Sequence, residues 1–232
     1  MSDWTTTVRQ VLPRFFAVAR RMRPTFHLSS LAELTPEFLS AQGVTLLIWD
    51  VDGTLMPWHG TAVAPELRAG WERLRAVQGL RHLILSNCGE ERFVELGRIF
   101  PDVPVVKGYA TPDGPVARQA LHGSLSWSDG GCWDPAGDAE VSTIRKPEAV
   151  LLGFALKLAG DVPANSALMV GDQYFTDIAG ANEAGVRTLK VRTVARASFP
   201  WPVAWMQRLE TLMYRVFYGR ALEGTENGRS EG

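Results

Sequence analysis

The chain has 232 residues, of which 46% are hydrophobic and 21% are charged, and its formal net charge is −1. These values are ordinary for a soluble globular protein and leave room for one sizeable domain with attachments. Two cysteines are too few for a disulfide framework and favour a reducing compartment. The sequence shows no uncharged stretch long enough to span a bilayer and no signal-peptide pattern, so we expect a cytoplasmic protein.

The small net charge hides an uneven distribution. Residues 1–30 carry a net charge of +4 and residues 190–220 a net charge of +5, whereas residues 31–189 carry −8. Bound metal would offset part of the negative charge of the central segment. The two basic arms favour contact with an anionic membrane surface, and no recognition motif for nucleic acid accompanies them.

Apolar periodicity predicts strands that alternate with helices along the chain. Residues 8–22 place apolar side chains on one face of a helix that Pro13 interrupts. Further along, we predict helix 36–42, strand 44–50, helix 65–77, strand 81–86, helix 90–99, strand 103–106, helix 147–160, strand 167–171, helix 176–184 and strand 186–191. This alternation indicates an α/β fold in which a parallel sheet has helices on both faces.

The first of these strands ends in two aspartates, Asp50 and Asp52, within the segment LLIWDVDGTL. Because side chains alternate along a strand, both carboxylates lie on the same side of the chain. Gly53 then allows the backbone to turn away from the strand end, where α/β sheets bind ligands. Carboxylates at the end of a buried strand need a cation nearby. The segment therefore indicates an aspartyl nucleophile, a neighbouring acid/base and a shared Mg²⁺.

Three further segments complete a set of motifs in chain order. The strand LILSN ends in Ser86 and Asn87, and the segment IRKP places Lys146 before a proline. A third apolar strand runs through VGDQYFTD, which contains Asp172 and Asp177. In this order the four segments resemble the four motifs of the haloacid dehalogenase (HAD) superfamily, most of whose members are phosphatases.

The resemblance covers residues 44–192 and implies a HAD-type Rossmann-like parallel sheet with no large cap domain. The segment between Asp52 and Ser86 has room for one helix only. A phosphatase without a cap leaves its site open to large or membrane-held substrates.

The resemblance also implies a role for each residue of the motifs. Asp50 is the nucleophile that forms an aspartyl-phosphate, and Asp52 is the acid/base that protonates the leaving alcohol and then activates water. Mg²⁺ is held by Asp50, the backbone carbonyl of Asp52 and Asp172. Asp177 is either a further group at the metal site, through water or a neighbouring ligand, or a structural residue. Lys146 supplies positive charge for the phosphoryl oxygens.

Three residues are candidates for contact with the substrate phosphate. Ser86 is expected to donate from its side chain, Asn87 from its backbone or side chain, and Thr54 from the turn after the first strand. Lys107 also follows an apolar strand and is a rival of Lys146. Only Lys146 precedes a proline that starts a helix, as in the family pattern, so we prefer Lys146.

Residues 108–143 are rich in Gly, Asp, Ser and Pro and show no periodicity, so we expect a long loop. This insertion is either a surface segment without a catalytic role or a flap that covers the open site. In the second interpretation Trp127 and Trp133 are the contact points.

The closer resemblance is to the type IIIA, YqeG-like branch of the superfamily, which includes the phosphatidylglycerophosphate phosphatases. It rests on residues 31–44 (LAELTPEFLSAQGV), residues 171–185 (GDQYFTDIAGANEAG) and a basic, aromatic C-terminal segment. Gly53 and Cys88 depart from the branch, whose members usually carry Asn at both positions. The resemblance implies a phosphomonoesterase that acts on phosphatidylglycerophosphate at the membrane surface.

The C-terminal segment 199–218 combines Trp and Leu side chains with arginines, as in a basic helix that lies in a membrane interface. The alternative is a helix that packs on the domain and exposes an ordinary basic face. The chain then divides into a basic N-terminal arm (1–35), a phosphatase domain (36–195) with the insertion, a C-terminal helix (196–222) and a disordered tail (223–232).

Two other functions stay open beside the lipid phosphatase. One is a soluble phosphatase for a sugar, nucleotide or other metabolite phosphate, and the other is a non-catalytic interaction protein on the same fold. Four intact charged residues of the motifs argue against the second, because a scaffold has no need of them. The sequence leaves the oligomeric state open.

Overall fold

The structure is a computed structural model that describes residues 15–28, 31–135, 137 and 139–219. Its strands are β1 (Phe26–His27), β2 (Leu46–Trp49), β3 (Arg81–Leu85), β4 (Val105–Thr111), β5 (Gly114–Leu121), β6 (Ser124–Trp127), β7 (Ser142–Ile144), β8 (Ala167–Gly171) and β9 (Arg187–Lys190). Its α-helices are α1 (Phe15–Ala19), α2 (Pro36–Ala41), α3 (Pro65–Arg75), α4 (Glu90–Ile99), α5 (Val150–Leu158), α6 (Ala179–Glu183) and α7 (Trp201–Tyr218). A π-helical turn (Tyr174–Ile178) leads into α6.

These strands form one sheet in the order β1-β9-β8-β2-β3-β4-β5-β6, with β7 paired to β4. In the order of the sheet, all neighbouring strands from β1 to β4 are parallel to one another. Strands β5, β6 and β7 run antiparallel to their neighbours. The register places Trp49 of β2 beside Val170 of β8 and Ile84 of β3. The carboxyl ends of three strands that carry predicted motifs therefore meet at one edge, and the predicted α/β class is confirmed.

Strand β2 is buried on both faces because helices cover both sides of the sheet. Leu47 and Trp49 pack in a cluster with residues of α3 and α4, such as Trp71 and Phe93. Leu46 and Ile48, on the opposite face, pack with Leu151, Leu152 and Ala155 of α5. A strand buried on both faces needs a continuous apolar run, which explains the sequence LLIW before Asp50.

Most predicted elements lie within a few residues of the observed ones. Two helices differ at their starts. The helix predicted from Pro147 begins at Val150, because Glu148 N–H donates to the carbonyl of Arg145 and closes a turn there. The helix predicted over 176–184 begins as the π-helical turn at Tyr174.

The expectation of a long loop over residues 108–143 is wrong. Strand β4 continues to Thr111, turns at Gly114 into β5 and β6, and returns as β7. Trp127 packs edge-on against the buried Tyr109 at 4.9 Å, and Trp133 joins the same cluster. These aromatic side chains form a small core between strands that are only partly buried. The alternation of apolar and polar residues that marks a strand is therefore weak in this part of the sequence.

The C-terminal helix α7 packs one face on the domain and exposes the other. Its buried side chains are Gln207, Glu210 and Tyr214. Its exposed large apolar side chains are Trp201, Trp205, Leu212, Val216 and Phe217. Among the described residues, no helix is both long enough and apolar enough to cross a membrane.

The described part of the N-terminal arm packs against the same region. Val18, Ala19 and Met22 are buried in a cluster with Tyr214 of α7 and residues of the π-helical turn. The amphipathic pattern predicted over residues 8–22 falls within the description only from Phe15 onwards. The predicted tail, residues 223–232, lies outside the described residues.

A half-buried histidine on β3 makes the stability of the fold dependent on pH. His82 accepts a hydrogen bond at Nδ1 from Trp49 Nε1 at 3.1 Å. Burial lowers the pKa of His82 from 6.5 to about 4. His82 is therefore protonated near pH 6.5 in the unfolded chain but only near pH 4 in the folded chain. The free energy of unfolding falls as the pH is lowered across the window between these two values.

We expect His82→Gln to remove this contribution, because its amide oxygen accepts from Trp49 but does not titrate. Between neutral pH and the acid end of this window, the free energy of unfolding should fall by about 3 kcal/mol more in the wild type than in the variant. Urea unfolding followed by tryptophan fluorescence measures this. The exposed His122→Gln should follow the wild type, and an equal fall in all three proteins would contradict the account.

Candidate active site

Three carboxylates converge at the carboxyl edge of the sheet. Asp50 follows β2, Asp172 follows β8, and Asp177 comes from the π-helical turn. Each is buried, and each offers an oxygen that lies within 4.8 Å of the others. The backbone N–H of Gln173 donates to Asp177 Oδ2 at 3.0 Å, which fixes the turn against the end of β8.

Lys146 lies between two of these carboxylates and is 2% exposed. Its Nζ donates to Asp50 Oδ1 at 2.5 Å and to Asp177 Oδ1 at 2.6 Å. Asn87 holds the backbone of Lys146 on both sides: Oδ1 accepts from its N–H at 2.8 Å, and Nδ2 donates to its carbonyl at 3.0 Å. The side chain of Asn87 therefore positions Lys146. Only the backbone N–H of Asn87 is then left for the predicted contact with the substrate phosphate.

Lys107, the rival cation, lies in a different cluster. Its Nζ donates to the carbonyl of Cys88 at 2.9 Å and pairs with Glu90 Oε1 at 2.6 Å. Tyr109 OH donates to the same Glu90 oxygen at 2.6 Å. Lys107 thus joins β4 to the start of α4, and the geometry favours Lys146 for the role beside Asp50.

The protonation of the site reflects its burial. Burial raises the pKa of Asp50 well above its usual range, Lys146 opposes the shift, and the charges of Asp177 and Asp172 add to it. Burial and the charge of Asp177 raise the pKa of Asp172 to about 6. Burial lowers the pKa of Lys146, but the carboxylates of Asp177 and Asp50 outweigh it, so the pKa is raised.

The donor set suits a divalent cation. When they are all ionised, as metal coordination requires, the carboxylates of Asp50, Asp172 and Asp177 outnumber the ammonium of Lys146 by two charges. Buried like charges at this separation repel one another strongly, and carboxylate oxygens are the ligands that Mg²⁺ prefers. The residues present therefore fit the predicted Mg²⁺ site.

Thr54 bridges two of the carboxylates. It is fully buried, and its hydroxyl lies 3.3 Å from Asp50 Oδ2 and 3.5 Å from Asp172 Oδ1. Thr54 therefore orders the carboxylates in addition to the turn. Ser86 is half-buried and follows β3, whose register sets Ile84 beside Trp49, so Ser86 lies at the same edge of the sheet as Asp50.

The side chain of Asp52 lies apart from the three carboxylates. Its Oδ1 accepts from Arg92 Nη2 at 2.9 Å and from the backbone N–H of His59 at 3.0 Å. This geometry leaves only the backbone carbonyl of Asp52 for the predicted contact with metal. Arg92 and the backbone of His59 hold this side chain in one orientation.

Arg92, which the sequence motifs do not identify, is 5% exposed and lies in the first turn of α4. Besides Asp52 it donates to Glu95 Oε2 and to the carbonyl of Gly60, both at 2.8 Å. A cation in the first turn of a helix is disfavoured by the helix dipole. That mismatch in the segment GEERF was the signal that could have identified it.

Two residues of α7 were also missed. Gln207 Nε2 donates to Asp172 Oδ2 at 3.2 Å, and Glu210 Oε2 accepts from the backbone N–H of Tyr174 at 2.9 Å. Burial raises the pKa of Glu210 to about 8. Gln207 and Glu210 are three residues apart on one helical face, and these polar residues on the inner face of an amphipathic helix were the available signal.

Comparisons with known proteins agree with the motifs. Residues 143–197 match the family model described as HAD-hyrolase-like. The probable phosphatase YqeG of Bacillus subtilis (strain 168) is 24% identical over 185 residues, which cover 80% of this chain and 82% of that protein. A solved structure of an uncharacterized protein from Listeria monocytogenes serotype 4b covers 62% of this chain and 76% of its own, at 20% identity and a TM-score of 0.39.

The family-model match and the similarity to YqeG support a phosphatase of the HAD superfamily that is similar to YqeG. The matched region contains Lys146, Asp172 and Asp177, and the mostly parallel sheet carries these residues at its carboxyl edge. The predicted family and enzyme class are therefore confirmed.

A glycine permits the close approach of the turn after β2 to Asp172. Gly53 has a φ of +91°, and a Cβ there would lie 2.6 Å from Phe199 Cζ and 2.8 Å from Asp172 Oδ2. Gly79 has a similar φ of +81° but nothing within 4 Å of its Cβ position. An alanine at either position would therefore have similar backbone strain. Only at Gly53 would its Cβ also clash with neighbouring atoms.

We expect Gly79→Ala to lower the free energy of unfolding by on the order of 1 kcal/mol, because of its backbone conformation alone. Gly53→Ala should cost about 2 kcal/mol more, because Asp172 and Phe199 must move. Denaturant unfolding of the two variants measures the difference. Equal losses would show that the approach at Gly53 is not as close as described.

Proposed function

We propose that this HAD-family phosphatase is a Mg²⁺-dependent phosphomonoesterase that works through an aspartyl-phosphate at Asp50, with phosphatidylglycerophosphate as its substrate. The observation that carries the chemistry is the buried set of Asp50, Asp172 and Asp177 around Lys146. Asp50, Asp172 and the backbone carbonyl of Asp52 would hold the metal, with Asp177 beside them. When bound, Mg²⁺ supplies positive charge that reduces the repulsion between a carboxylate nucleophile and a phosphate.

In the first step a carboxylate oxygen of Asp50 attacks phosphorus, and the bond from phosphorus to the leaving alcohol breaks. Lys146 and Thr54, which hydrogen-bond to the two oxygens of Asp50, orient its carboxylate. Asp52 donates a proton to the leaving oxygen. Ser86 and Lys146 donate to the phosphoryl oxygens and stabilise their developing charge.

In the second step water attacks the phosphorus of the aspartyl-phosphate and releases Asp50 and inorganic phosphate. Asp52, now a carboxylate, takes the proton of that water. Arg92 and the N–H of His59 hold Asp52 in one orientation through both steps. Asp50 and Asp52 therefore have different hydrogen-bond partners. Different surroundings allow two neighbouring carboxylates to take different roles, one as nucleophile and one as acid/base.

Two features support a lipid substrate. The segment between β2 and β3 contains only α3 among its helices, so no cap stands over the carboxyl edge there. Helix α7 exposes Trp201 and Trp205, which are 80% and 58% exposed, together with the basic Arg208. Exposed tryptophans beside basic side chains suit an anionic membrane interface. We therefore propose a cytoplasmic enzyme that attaches peripherally to the membrane.

The test of the reaction is phosphate release by purified protein with Mg²⁺. We expect turnover of phosphatidylglycerophosphate in mixed micelles to exceed that of soluble phosphomonoesters, and to stop on chelation. Asp50→Asn should lower the rate at least about a thousandfold, because the amide is not a nucleophile. The exposed Asp113→Asn is the matched control and should retain full activity. Preference for a soluble ester would keep the mechanism and contradict the lipid substrate; no turnover would favour an interaction protein.

The membrane contact has its own test. Wild-type protein should co-sediment with vesicles that contain phosphatidylglycerol, and less so at high salt. A double variant, Trp201→Ala with Trp205→Ala, should lose at least about tenfold in vesicle affinity, because the apolar anchors are gone. Leu125→Ala, which removes an exposed apolar side chain from β6, is the control. Equal binding by all three proteins would contradict attachment through α7.

A further inference from the structure

A cavity of about 350 Å³ lies on the side of Asp172 that faces α7 and the end of β9. Its wall includes Lys190, Arg192, Arg196, Gln207, Thr211 and Asp172. Because Asp172 also belongs to the carboxylate cluster, the cavity and the reacting centre share a wall. The cavity is large enough for a phosphate and the carbon atoms esterified to it.

The wall of the cavity carries a concentration of positive charge. Lys190 is only 8% exposed, its Nζ donates to the carbonyl of Val191 at 2.7 Å, and it lies 4.9 Å from the ring centroid of Tyr174. Arg192 and Arg196 are exposed at the rim, and neither forms an ion pair with a residue in the described part of the chain. A buried ammonium near two guanidinium groups that have no ion-pair partner among the described residues is an arrangement that favours a phosphate.

Two carboxylates also line the cavity, and both are already engaged. Asp172 belongs to the carboxylate cluster, and Glu210 accepts the backbone N–H of Tyr174. Neither is paired with the guanidinium groups of Arg192 or Arg196. Those two positive charges are therefore available to a ligand.

A buried acceptor points to a further feature of the ligand. Gln207 is 6% exposed, and its Nε2 is committed to Asp172 Oδ2. Its Oε1 has no hydrogen-bond partner among the described residues, although it is buried. A buried amide oxygen without a partner costs free energy, and a hydroxyl group on the ligand would satisfy it.

We propose that this cavity binds a second phosphate group of the substrate while the first reacts at Asp50. The inference rests on the proposed function and adds to it a binding site for the second phosphate of a phosphomonoester whose two phosphates are joined by a short, hydroxylated linker. Arg192 and Arg196 clamp the second phosphate at the rim, Lys190 attracts it from below, and Gln207 accepts from the linker hydroxyl. A lipid phosphodiester and a soluble bisphosphate share this chemistry.

The test compares three substrates: glycerol 3-phosphate, which has one phosphate, deacylated glycerophosphoglycerophosphate, which has two, and micellar phosphatidylglycerophosphate. We expect kcat/KM to be higher for both two-phosphate substrates than for glycerol 3-phosphate. In Arg192→Gln and in Arg196→Gln this preference should fall by about tenfold each, as expected for a lost charge-assisted contact. Arg98→Gln, which removes an exposed positive charge from α4, should keep the preference. Far-ultraviolet circular dichroism checks that each variant is folded.

The outcomes separate this inference from the function on which it rests. The second phosphate site would be overturned if glycerol 3-phosphate were turned over as fast as the two-phosphate substrates, and if the arginine variants did not change these rates. The proposed phosphatase activity would be unaffected by that result. If no substrate is turned over, calorimetric binding of glycerophosphoglycerophosphate decides: weaker binding in the arginine variants supports the cavity, and equal or absent binding overturns it. A rate advantage of the micellar over the deacylated substrate supports a lipid as the source of the second phosphate.

Discussion

The site depends on the buried ammonium of Lys146, which lies within 2.6 Å of carboxylate oxygens from both Asp50 and Asp177. Without that charge, three carboxylates would face one another in a buried space, and burial already raises the pKa of Asp50. The ammonium alone leaves two negative charges unbalanced, which is the charge that one divalent cation supplies. The interaction therefore allows the cluster to form, and the negative charge that it leaves suits the divalent cation that we propose.

Local backbone features bring these groups together. The register of β2 against β8 sets the two strand ends side by side, so that Asp50 and Asp172 are neighbours. Gly171 allows Asp177 to approach, because a Cβ at that position would overlap Asp177 Oδ2. Helix α7, far along the chain, then joins the site through Gln207 and Glu210. The helix that exposes the tryptophans is thus in direct contact with a carboxylate of the proposed metal site.

The sequence predicts the parts of the site that depend on strand ends. Asp50, Lys146, Asp172 and Asp177 follow apolar strands or precede a helix, the resemblance to the HAD motifs identifies them as one set, and the structure brings them together. Arg92 and Gln207 reach the site through tertiary packing, and a single sequence carries only faint signs of such contacts. The expectation of a loop over residues 108–143 fails for a related reason: β5 and β6 are partly exposed, β5 pairs with β4 and β6 pairs with β5, so their alternation is weak. Elements with a strong local pattern were predicted to within a few residues, whereas the antiparallel extension was not.

The most direct test of the account is to find where the phosphoryl group is attached during turnover. The reaction would be quenched in acid, the phosphoprotein reduced with borohydride, and its peptides sequenced by mass spectrometry, since reduction converts an aspartyl-phosphate to homoserine. The account predicts homoserine at position 50 and none at positions 52, 172 or 177. Homoserine at another aspartate, or rapid turnover with no trapped residue in the quenched protein, would contradict Asp50 as the nucleophile.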